Sequence, residues 1–394
     1  MAEAGFASEC AKAIRDEMET KGTLAMSQPG TNLRVPRAFN EVTPEWLSAA
    51  LAPTCPDVKV LSATVGKTMG FKPNKARIEL TYNAAGREAG LPSSFVIKGT
   101  FNGTESRGAI IDFSNLAEVV SYRDIVPHID MNVPRIYHLG IEHKPSESVV
   151  LLMEDLAARK PTYFGHGLNS LTYGQAALFL DAIARYQALS WNSPLFGEGQ
   201  AWGPGTMTET NYQRIHKEYF ELLPHSEHWT QSAQSPRGAA VPRRLRDPER
   251  AAASWASLMQ VLNAHARVIV HGDEHLGNYF IEGNGCPGFY DMLSRGERWP
   301  QHFAVFMIAA LDTLDRRAWE RPLLAYFLSR LAHHGADVPS FEEAWFAYRC
   351  STICPFLIWF NNSSTWQPEA INTANAARAG MAVLDHDAFG LLGV

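Results

Sequence analysis

The chain has 394 residues, of which 46% are hydrophobic, and this length and composition predict a folded protein with room for two lobes. Its 35 Lys and Arg against 41 Asp and Glu give a formal net charge of -6, which argues against a nucleic-acid partner. The longest uninterrupted apolar run, FAVFMIAAL, has nine residues, whereas a membrane-spanning helix needs about 20. The sequence therefore predicts no membrane span.

The amino terminus and the cysteines bear on the cellular compartment. The first residues, MAEAGFASECAKAIRDEMETKG, are charged from the third position and contain no apolar core of an export signal. The five cysteines are odd in number, sparse and scattered, which predicts reduced thiols. Both features predict a cytoplasmic location, and neither indicates an oligomeric state.

The chain from about residue 40 to residue 156 has mainly the alternating pattern of β-strands. The apolar runs are VKVLSATV, ARIELTY, SSFVIKGTF and SVVLLMEDL. One helix is predicted to interrupt them, from Ser114 to Val126, with Ser114 as its cap. This part is therefore expected to form a small, strand-rich lobe.

The rest of the chain is predicted to be mainly helical. Residues 171–191 have the periodicity of a long amphipathic helix, and further helices are expected from about Phe303 and over residues 345–360. A short β region, VIV, NYFI and GFYD, lies between them. GNGCPG within it satisfies a dinucleotide-binding pattern, but it precedes a strand rather than a helix, so we predict a hairpin turn there.

The segment HGDEHLGN, residues 271–278, concentrates polar side chains between apolar runs. His271, Asp273 and His275 are ordinary ligands of a catalytic metal, which leaves a metallohydrolase as one hypothesis. A second hypothesis is phosphoryl transfer, which requires a base and a metal-binding asparagine on one loop. Asp273 and Asn278 have the spacing of that loop, and Asp291 follows at the end of the next strand.

Two upstream residues favour phosphoryl transfer over the metal cluster. FVIK ends in Lys98 and resembles the strand whose lysine holds nucleotide phosphates. Glu118, on the predicted helix that follows, is placed to pair with that lysine. A metallohydrolase would have no use for this pair, so the order of the residues favours a kinase.

HGDEHLGN is similar to the HGDxxxxN motif of the aminoglycoside phosphotransferase and choline kinase superfamily of small-molecule kinases. LLMEDL, AEVVSY and IARYQALSW resemble in particular the ecdysteroid-kinase-like branch. The resemblance implies ATP and Mg²⁺ as cofactors, Asp273 as the catalytic base, and Asn278 and Asp291 as magnesium ligands. It also implies that Lys98 and Glu118 form the phosphate-binding pair, and that an adenine-binding hinge is formed by Met153, Glu154, Asp155 and Leu156.

The same resemblance implies an α+β, bilobal, protein-kinase-like fold. We expect an N-terminal extension over residues 1–45, a nucleotide-binding N-lobe over 46–155, and a helical C-lobe over 156–394 with the catalytic loop and acceptor site. The chain departs from the superfamily in three places. The glycine-rich loop is reduced to VGKTMGFKPNK, in which Lys67, Lys72 and Lys75 add positive charge. Gln187 stands where relatives usually have a histidine, and His302 stands where they usually have an aspartate. These departures leave open a kinase-like binding protein with little turnover.

The acceptor is predicted to be a hydroxyl of a small molecule. The late helices contain few acids and many aromatic residues, which favours an uncharged steroid or terpenoid-like alcohol over a polycationic aminoglycoside. The alternative is that these rings simply form the helix core. The aromatic residues concerned are Trp345, Phe346, Tyr348, Phe356, Trp359, Phe360 and Trp366.

Overall fold

The computed structural model describes residues 33–69, 74–101, 109–142, 148–159 and 162–394, without the side chains of 109–113, 211 and 219. Gly70 and Lys72 of the predicted phosphate loop lie outside the described residues, as does most of the predicted N-terminal extension. The chain divides into two compact units. Of the described residues, unit 1 comprises those up to Pro127, those within Asn132–Tyr163 and Ile281–Leu293, and unit 2 comprises His128–Met131, Phe164–Phe280 and Ser294–Val394.

The strands of the described residues, numbered in chain order, are β1 Val60–Thr68, β2 Lys75–Tyr82, β3 Ser94–Gly99, β4 Ile136–Glu142, β5 Ser148–Glu154, β6 Thr162–Phe164, β7 Arg267–Val270, β8 Tyr279–Glu282, β9 Pro287–Phe289 and β10 Arg295–Arg298. The α-helices are α1 Pro44–Leu51, α2 Ala84–Glu88, α3 Ala109–Val120, α4 Tyr173–Leu189, α5 Met207–Ile215, α6 Glu227–Gln234, α7 Pro236–Ala240, α8 Pro248–Leu262, α9 Trp299–Ala310, α10 Thr313–His333, α11 Phe341–Ser351, α12 Ile353–Asn361, α13 Glu369–Asp385 and α14 Ala388–Leu391. The predicted α+β class, strand-rich first and helical afterwards, is confirmed.

Unit 1 is built on a five-stranded antiparallel sheet with the order β1-β2-β3-β5-β4. Alternate residues of β2 and β3 are buried in the unit's apolar core, as the sequence pattern of these strands predicts. The pairing of β2 with β3 places Lys75 directly opposite Lys98. The sheet thus brings two lysines from separate strands to one position on the same face.

The helices of unit 1 differ from the prediction in two respects. The predicted helix at Ser114–Val126 is α3, which begins earlier, at Ala109, and continues as a π-helical turn over Ser121–Ile125. Ser114 is therefore inside the helix, and its prediction as a cap is wrong. The short helices α1 and α2 were not predicted, because the apolar residues of PEWLSAAL were assigned to a strand-rich segment although Thr43 caps α1.

Unit 2 is mainly helical and has its own apolar core. The long predicted helix at residues 171–191 is α4, which begins with a capping box formed by Thr172 and Gln175. β7 and β10 pair as a two-stranded antiparallel sheet. The loop that follows β7 contains the HGDEHLGN segment, so a short strand on one side fixes where that segment begins.

Three cysteines, Cys55, Cys350 and Cys354, are free and buried, which agrees with the predicted reduced thiols. Cys286 is disulfide-bonded, so the prediction is wrong for that residue. Spacing along the chain does not indicate which sulfur atoms meet in space, so the bond has no signal in the sequence. No helix among the described residues has both the length and the apolar character needed to cross a membrane.

Arg237 of α7 is a buried cation that ties several segments of unit 2 together. Its guanidinium donates hydrogen bonds to the backbone oxygens of Trp359, Phe360 and Asn362, at the carboxyl end of α12. It also forms an ion pair with Glu369 of α13, with a distance of 2.6 Å between Nη2 and Oε2. Burial raises the pKa of Glu369, but the hydrogen bonds from Arg237 and Ser364 outweigh it and lower that pKa to about 2.

We expect Arg237→Ala to lower the free energy of unfolding of unit 2 by about 3 kcal/mol, because it leaves backbone oxygens and a carboxylate without their donor. Urea titration followed by tryptophan fluorescence measures this, with Arg243→Ala, an exposed arginine nearby, as the control. The contribution of ionised Glu369 is present above about pH 4.5 and is lost as the pH falls toward about 2. Glu369→Gln should therefore destabilise less at about pH 3 than at about pH 7.

Candidate active site

Four charged side chains of unit 1 form a compact group, which we name the Lys98 cluster: Lys75, Lys98, Glu118 and Asp291. The Nζ atom of Lys98 lies 2.5 Å from Oε2 of Glu118 and 3.1 Å from Oδ1 of Asp291. The Nζ atom of Lys75 lies 3.0 Å from Oδ2 of the same aspartate. Three of the predicted site residues are thus in contact, and Lys75 is a partner that the sequence did not assign.

Electrostatic interactions within the Lys98 cluster favour the ionised forms of Asp291 and Lys98. Burial raises the pKa of Asp291, but the two lysines outweigh it and hold that pKa far below its usual range. Burial lowers the pKa of Lys98, yet the adjacent carboxylates of Asp291 and Glu118 raise it above its ordinary value. Asp291 also has a φ angle of 56°, a left-handed conformation that a non-glycine residue adopts at some cost and that is frequent at functional sites.

The predicted hinge residues lie at the end of β5 and just beyond it. Glu154 forms an ion pair with Arg159, at 2.7 Å, and Asp155 forms one with Arg77, at 2.6 Å. The same aspartate caps the turn that begins at Leu156. Both carboxylates of the segment are therefore used within the protein, whereas Met153 and Leu156 contribute buried apolar side chains.

In unit 2, Asp273 and Asn278 lie together on the loop after β7. The amide nitrogen Nδ2 of Asn278 donates to Oδ2 of Asp273 at 2.8 Å and to its backbone oxygen at 3.0 Å. Asn278 is buried, whereas the side chain of Asp273 remains 46% exposed. The loop therefore presents an immobilised carboxylate that a ligand can reach.

The state of His275 follows from its hydrogen bonds. Its Nδ1 atom accepts from the backbone N–H of Gly277 at 3.0 Å, so in the neutral ring the proton is on Nε2. That nitrogen lies 3.6 Å from Oδ2 of Asp273 and 3.0 Å from the terminal amide of Gln367, whose oxygen must then face the ring N–H, because an amide nitrogen cannot accept a hydrogen bond. A Cβ atom at position 277 would come within 2.6 Å of the imidazole, so glycine is required for this packing.

The surroundings of Asp273 favour its ionised form. Partial burial raises the pKa of this carboxyl, but His275, His271 and the hydrogen bond from Asn278 lower it, and the net result is a pKa below the usual value. A carboxylate that is ionised at neutral pH can accept a proton from a hydroxyl whose own acidity increases during the reaction.

Gly272, the residue just before Asp273, is held by buried charged side chains at both its backbone N–H and its carbonyl oxygen. The backbone N–H of Gly272 donates to Glu274 at 2.7 Å, and its carbonyl oxygen accepts from Arg295 at 2.8 Å. Nε2 of His302, in α9, lies 3.1 Å from the same oxygen of Glu274. The hydroxyl oxygen of Tyr186 also lies 3.1 Å from this nitrogen. His302, which resemblance identifies as a departure, is therefore part of a buried brace on the loop.

Gln187, the second departure, is fully buried next to Tyr186 in α4. Neither its Oε1 nor its Nε2 atom has a hydrogen-bond partner within the described part of the chain. The structure provides no account of what this amide does.

Two observations concern a metal. Across the described ranges, no group of three or more His, Cys, Asp or Glu side chains is arranged to hold a metal ion, so the cluster of His271, Asp273 and His275 does not form. Oxygen ligands suited to a hard cation are present instead, because the nitrogen of the Asn278 amide is bound to Asp273 and leaves the amide oxygen as the potential ligand. In unit 1, Asp291 separately offers a carboxylate, and each of these two oxygen ligands is of the type that Mg²⁺ prefers.

The aromatic residues predicted to line an acceptor site differ in position. Tyr348, Phe356 and Phe360 are completely buried in the core of unit 2, so the helix-core interpretation applies to them. Phe346 is 42% exposed. Trp359 is buried, and its ring lies 5.9 Å from the ring of His275 on the loop after β7.

Solved structures similar to this chain include a putative aminoglycoside phosphotransferase from Ralstonia eutropha, with 15% identity, a TM-score of 0.44, and coverage of 86% of this chain and 97% of that one. A choline kinase from Streptococcus pneumoniae has 10% identity and a TM-score of 0.42, covering 83% and 94%. An amicoumacin kinase in complex with AMP-PNP, Ca²⁺ and its ligand has 12% identity and a TM-score of 0.47, covering 82% and 88%. No curated protein matches the chain.

Residues 101–292 match the sequence model of the family described as APH, phosphotransferase enzyme family. The matched range begins just after Lys98 and contains Glu118, Asp273, Asn278 and Asp291. Residues 101–292, somewhat less than half of the chain, are therefore similar in sequence to the phosphotransferase enzyme family.

Proposed function

We propose that the protein is an ATP-dependent kinase that phosphorylates a hydroxyl group of a small molecule. The observation that carries the proposal is the exposed, ionised carboxylate of Asp273, held by Asn278 on a loop within the matched phosphotransferase range. The Lys98 cluster supports it, because a buried lysine paired with a glutamate is the arrangement that kinases use to hold nucleotide phosphates.

In the proposed reaction, the acceptor oxygen attacks the γ-phosphorus of ATP. The bond between that phosphorus and the oxygen bridging to the β-phosphate breaks, so that ADP leaves, and the hydroxyl proton passes to Asp273. Asn278 keeps the carboxylate in one orientation, and Lys98 offsets negative charge on the phosphates. Mg²⁺, held by Asn278 and Asp291, would neutralise charge on the phosphate oxygens when bound.

Three finer parts of the proposal are the adenine-binding hinge, the branch of the superfamily and the cellular location. The hinge role of the segment from Met153 to Leu156 is proposed from resemblance, and both of its carboxylates are paired elsewhere, so contacts with adenine would come from its main chain and apolar side chains. Membership of the ecdysteroid-kinase-like branch and a cytoplasmic location stay predictions. A kinase-like protein without turnover gains no specific support, since His302 pairs with Glu274 and completes the brace on the loop.

ATP should bind only weakly without Mg²⁺ and more tightly with it, because in the proposed complex the metal and Lys98 both offset the charge of the phosphates. Calorimetry with ATP, in the presence of Mg²⁺ or of a chelator, measures this. Zinc-dependent hydrolytic activity without nucleotide binding in either condition would contradict the proposal and favour a metallohydrolase.

Asp273→Asn should lower the turnover number by roughly 10²- to 10⁴-fold, the usual contribution of a general base, and leave ATP affinity nearly unchanged. The substitution keeps the side chain's size and removes its ability to take the proton. Steady-state kinetics and calorimetry on the same preparation separate the two effects. Asp337→Asn, at an exposed position, is the matched control, and a wild-type rate for Asp273→Asn would refute the assigned role.

For the acceptor, we expect transfer to uncharged steroid or terpenoid-like alcohols in preference to aminoglycosides or choline. Two side chains beside His275 support this expectation: the aromatic ring of Trp359 and the amide of Gln367. Phosphate transfer from labelled ATP to a matched panel of sterols, terpenoid alcohols, choline and aminoglycosides tests it. Transfer to choline or aminoglycosides alone would show that the acceptor class is wrong while leaving the kinase assignment intact.

A further inference from the structure

Lys75 is a charged residue of unit 1 that the reaction proposed above does not use. It is the first residue of β2, directly opposite Lys98 of β3 in the antiparallel register. Two like charges opposite each other on one sheet face destabilise the pair of strands unless an anion lies between them. A negative charge beside these two lysines is therefore needed to offset their repulsion.

In the structure, Asp291 supplies that charge by giving one carboxylate oxygen to each lysine. The two lysines differ in their other partners. Lys98 also pairs with Glu118, whereas Lys75 has no second carboxylate partner among the described residues. A change at Asp291 would thus leave Lys98 paired and Lys75 without an anion.

The proposed role of Asp291 as a magnesium ligand favours such a change, because each of its oxygens is bound to an ammonium group whose positive charge repels a cation placed beside it. The four side chains of the Lys98 cluster carry two positive and two negative charges, so the cluster is neutral as it stands. With the charge of Asp291 committed to a metal, the remaining three carry a net positive charge. Lys75, 21% exposed, is then the cation that lacks a partner.

We infer that Lys75 is a second phosphate-binding lysine, which exchanges Asp291 for the β- or γ-phosphate of the nucleotide and holds it together with Lys98. The inference rests on the proposed function and adds to it a residue that selects nucleotides by the number of their phosphates. Adenosine monophosphate lacks the groups that Lys75 would bind, so its affinity should not depend on this residue.

The experiment is calorimetry of Mg²⁺ with ATP, and separately of AMP, on the full chain and four variants: Lys75→Ala, Lys75→Gln, Lys75→Arg and Lys59→Ala. Lys59 is an exposed lysine of the same unit and serves as the control. We expect the alanine and glutamine variants to lose about tenfold or more in ATP affinity, the usual effect of one charge-assisted hydrogen bond. Lys75→Arg should retain most of the affinity, and AMP binding should change by less than about twofold in every variant.

Thermal unfolding of each variant without nucleotide shows whether unit 1 remains folded. Wild-type ATP affinity in both folded neutral variants would overturn the inference and leave the kinase assignment standing, since Lys75 would then only pair with Asp291. An equal loss of ATP and AMP affinity would also overturn it, because the effect would not concern the terminal phosphates. Failure of the unsubstituted protein to bind ATP at all would instead refute the proposed function itself.

Discussion

The buried contact between Glu274 and His302 is the constraint on which the geometry of the loop after β7 depends. Glu274 fixes the N–H of Gly272 while Arg295 fixes the carbonyl oxygen of the same residue, so this residue is held at both its polar groups just before Asp273. Burial raises the pKa of Glu274, but His302 and Arg295 hold it far below the usual range. Removing the partner would leave a buried carboxylate whose solvation cost is no longer offset.

This contact also changes how the departure at position 302 is understood. An aspartate there would place a second buried carboxylate on the side of Glu274 that the imidazole now covers, and burial of neighbouring like charges disfavours ionisation of both. Histidine and glutamate are therefore chosen as a pair, with the carboxylate on the loop and its partner on α9. Position 302 considered alone suggests that a residue supporting the loop has been lost. Together with Glu274, however, His302 holds the loop at Gly272.

Much of the architecture was predictable, because periodicity along the chain records which face of each element is buried. The four predicted strands of unit 1 and the helix α4 follow from that record. The helix α1 was missed although its start signal, a threonine followed by proline and glutamate, is present. β4, at RIYHLGIE, was missed because its burial does not alternate cleanly.

The candidate site was predictable to the extent that its residues lie in short motifs. Asp273 and Asn278 are five residues apart, and their hydrogen bond agrees with that spacing. The contacts of Lys75 with Asp291, and of Gln367 with His275, join residues 216 and 92 positions apart. No local pattern encodes such pairs, because they depend on how the whole unit folds and on where long side chains end.

Unit 1 contains a segment, Ile281–Leu293, that is separated in sequence from the rest of the unit by more than a hundred residues of unit 2. This segment carries Asp291, the anion shared by Lys75 and Lys98. A fragment ending at Tyr163 would contain the five-stranded sheet and the pair of Lys98 with Glu118, but it would lack the anion that Lys75 and Lys98 share. The strand-rich part of this protein therefore cannot be separated by a single cut in the chain, and its charge balance is completed only after most of unit 2 has been synthesised.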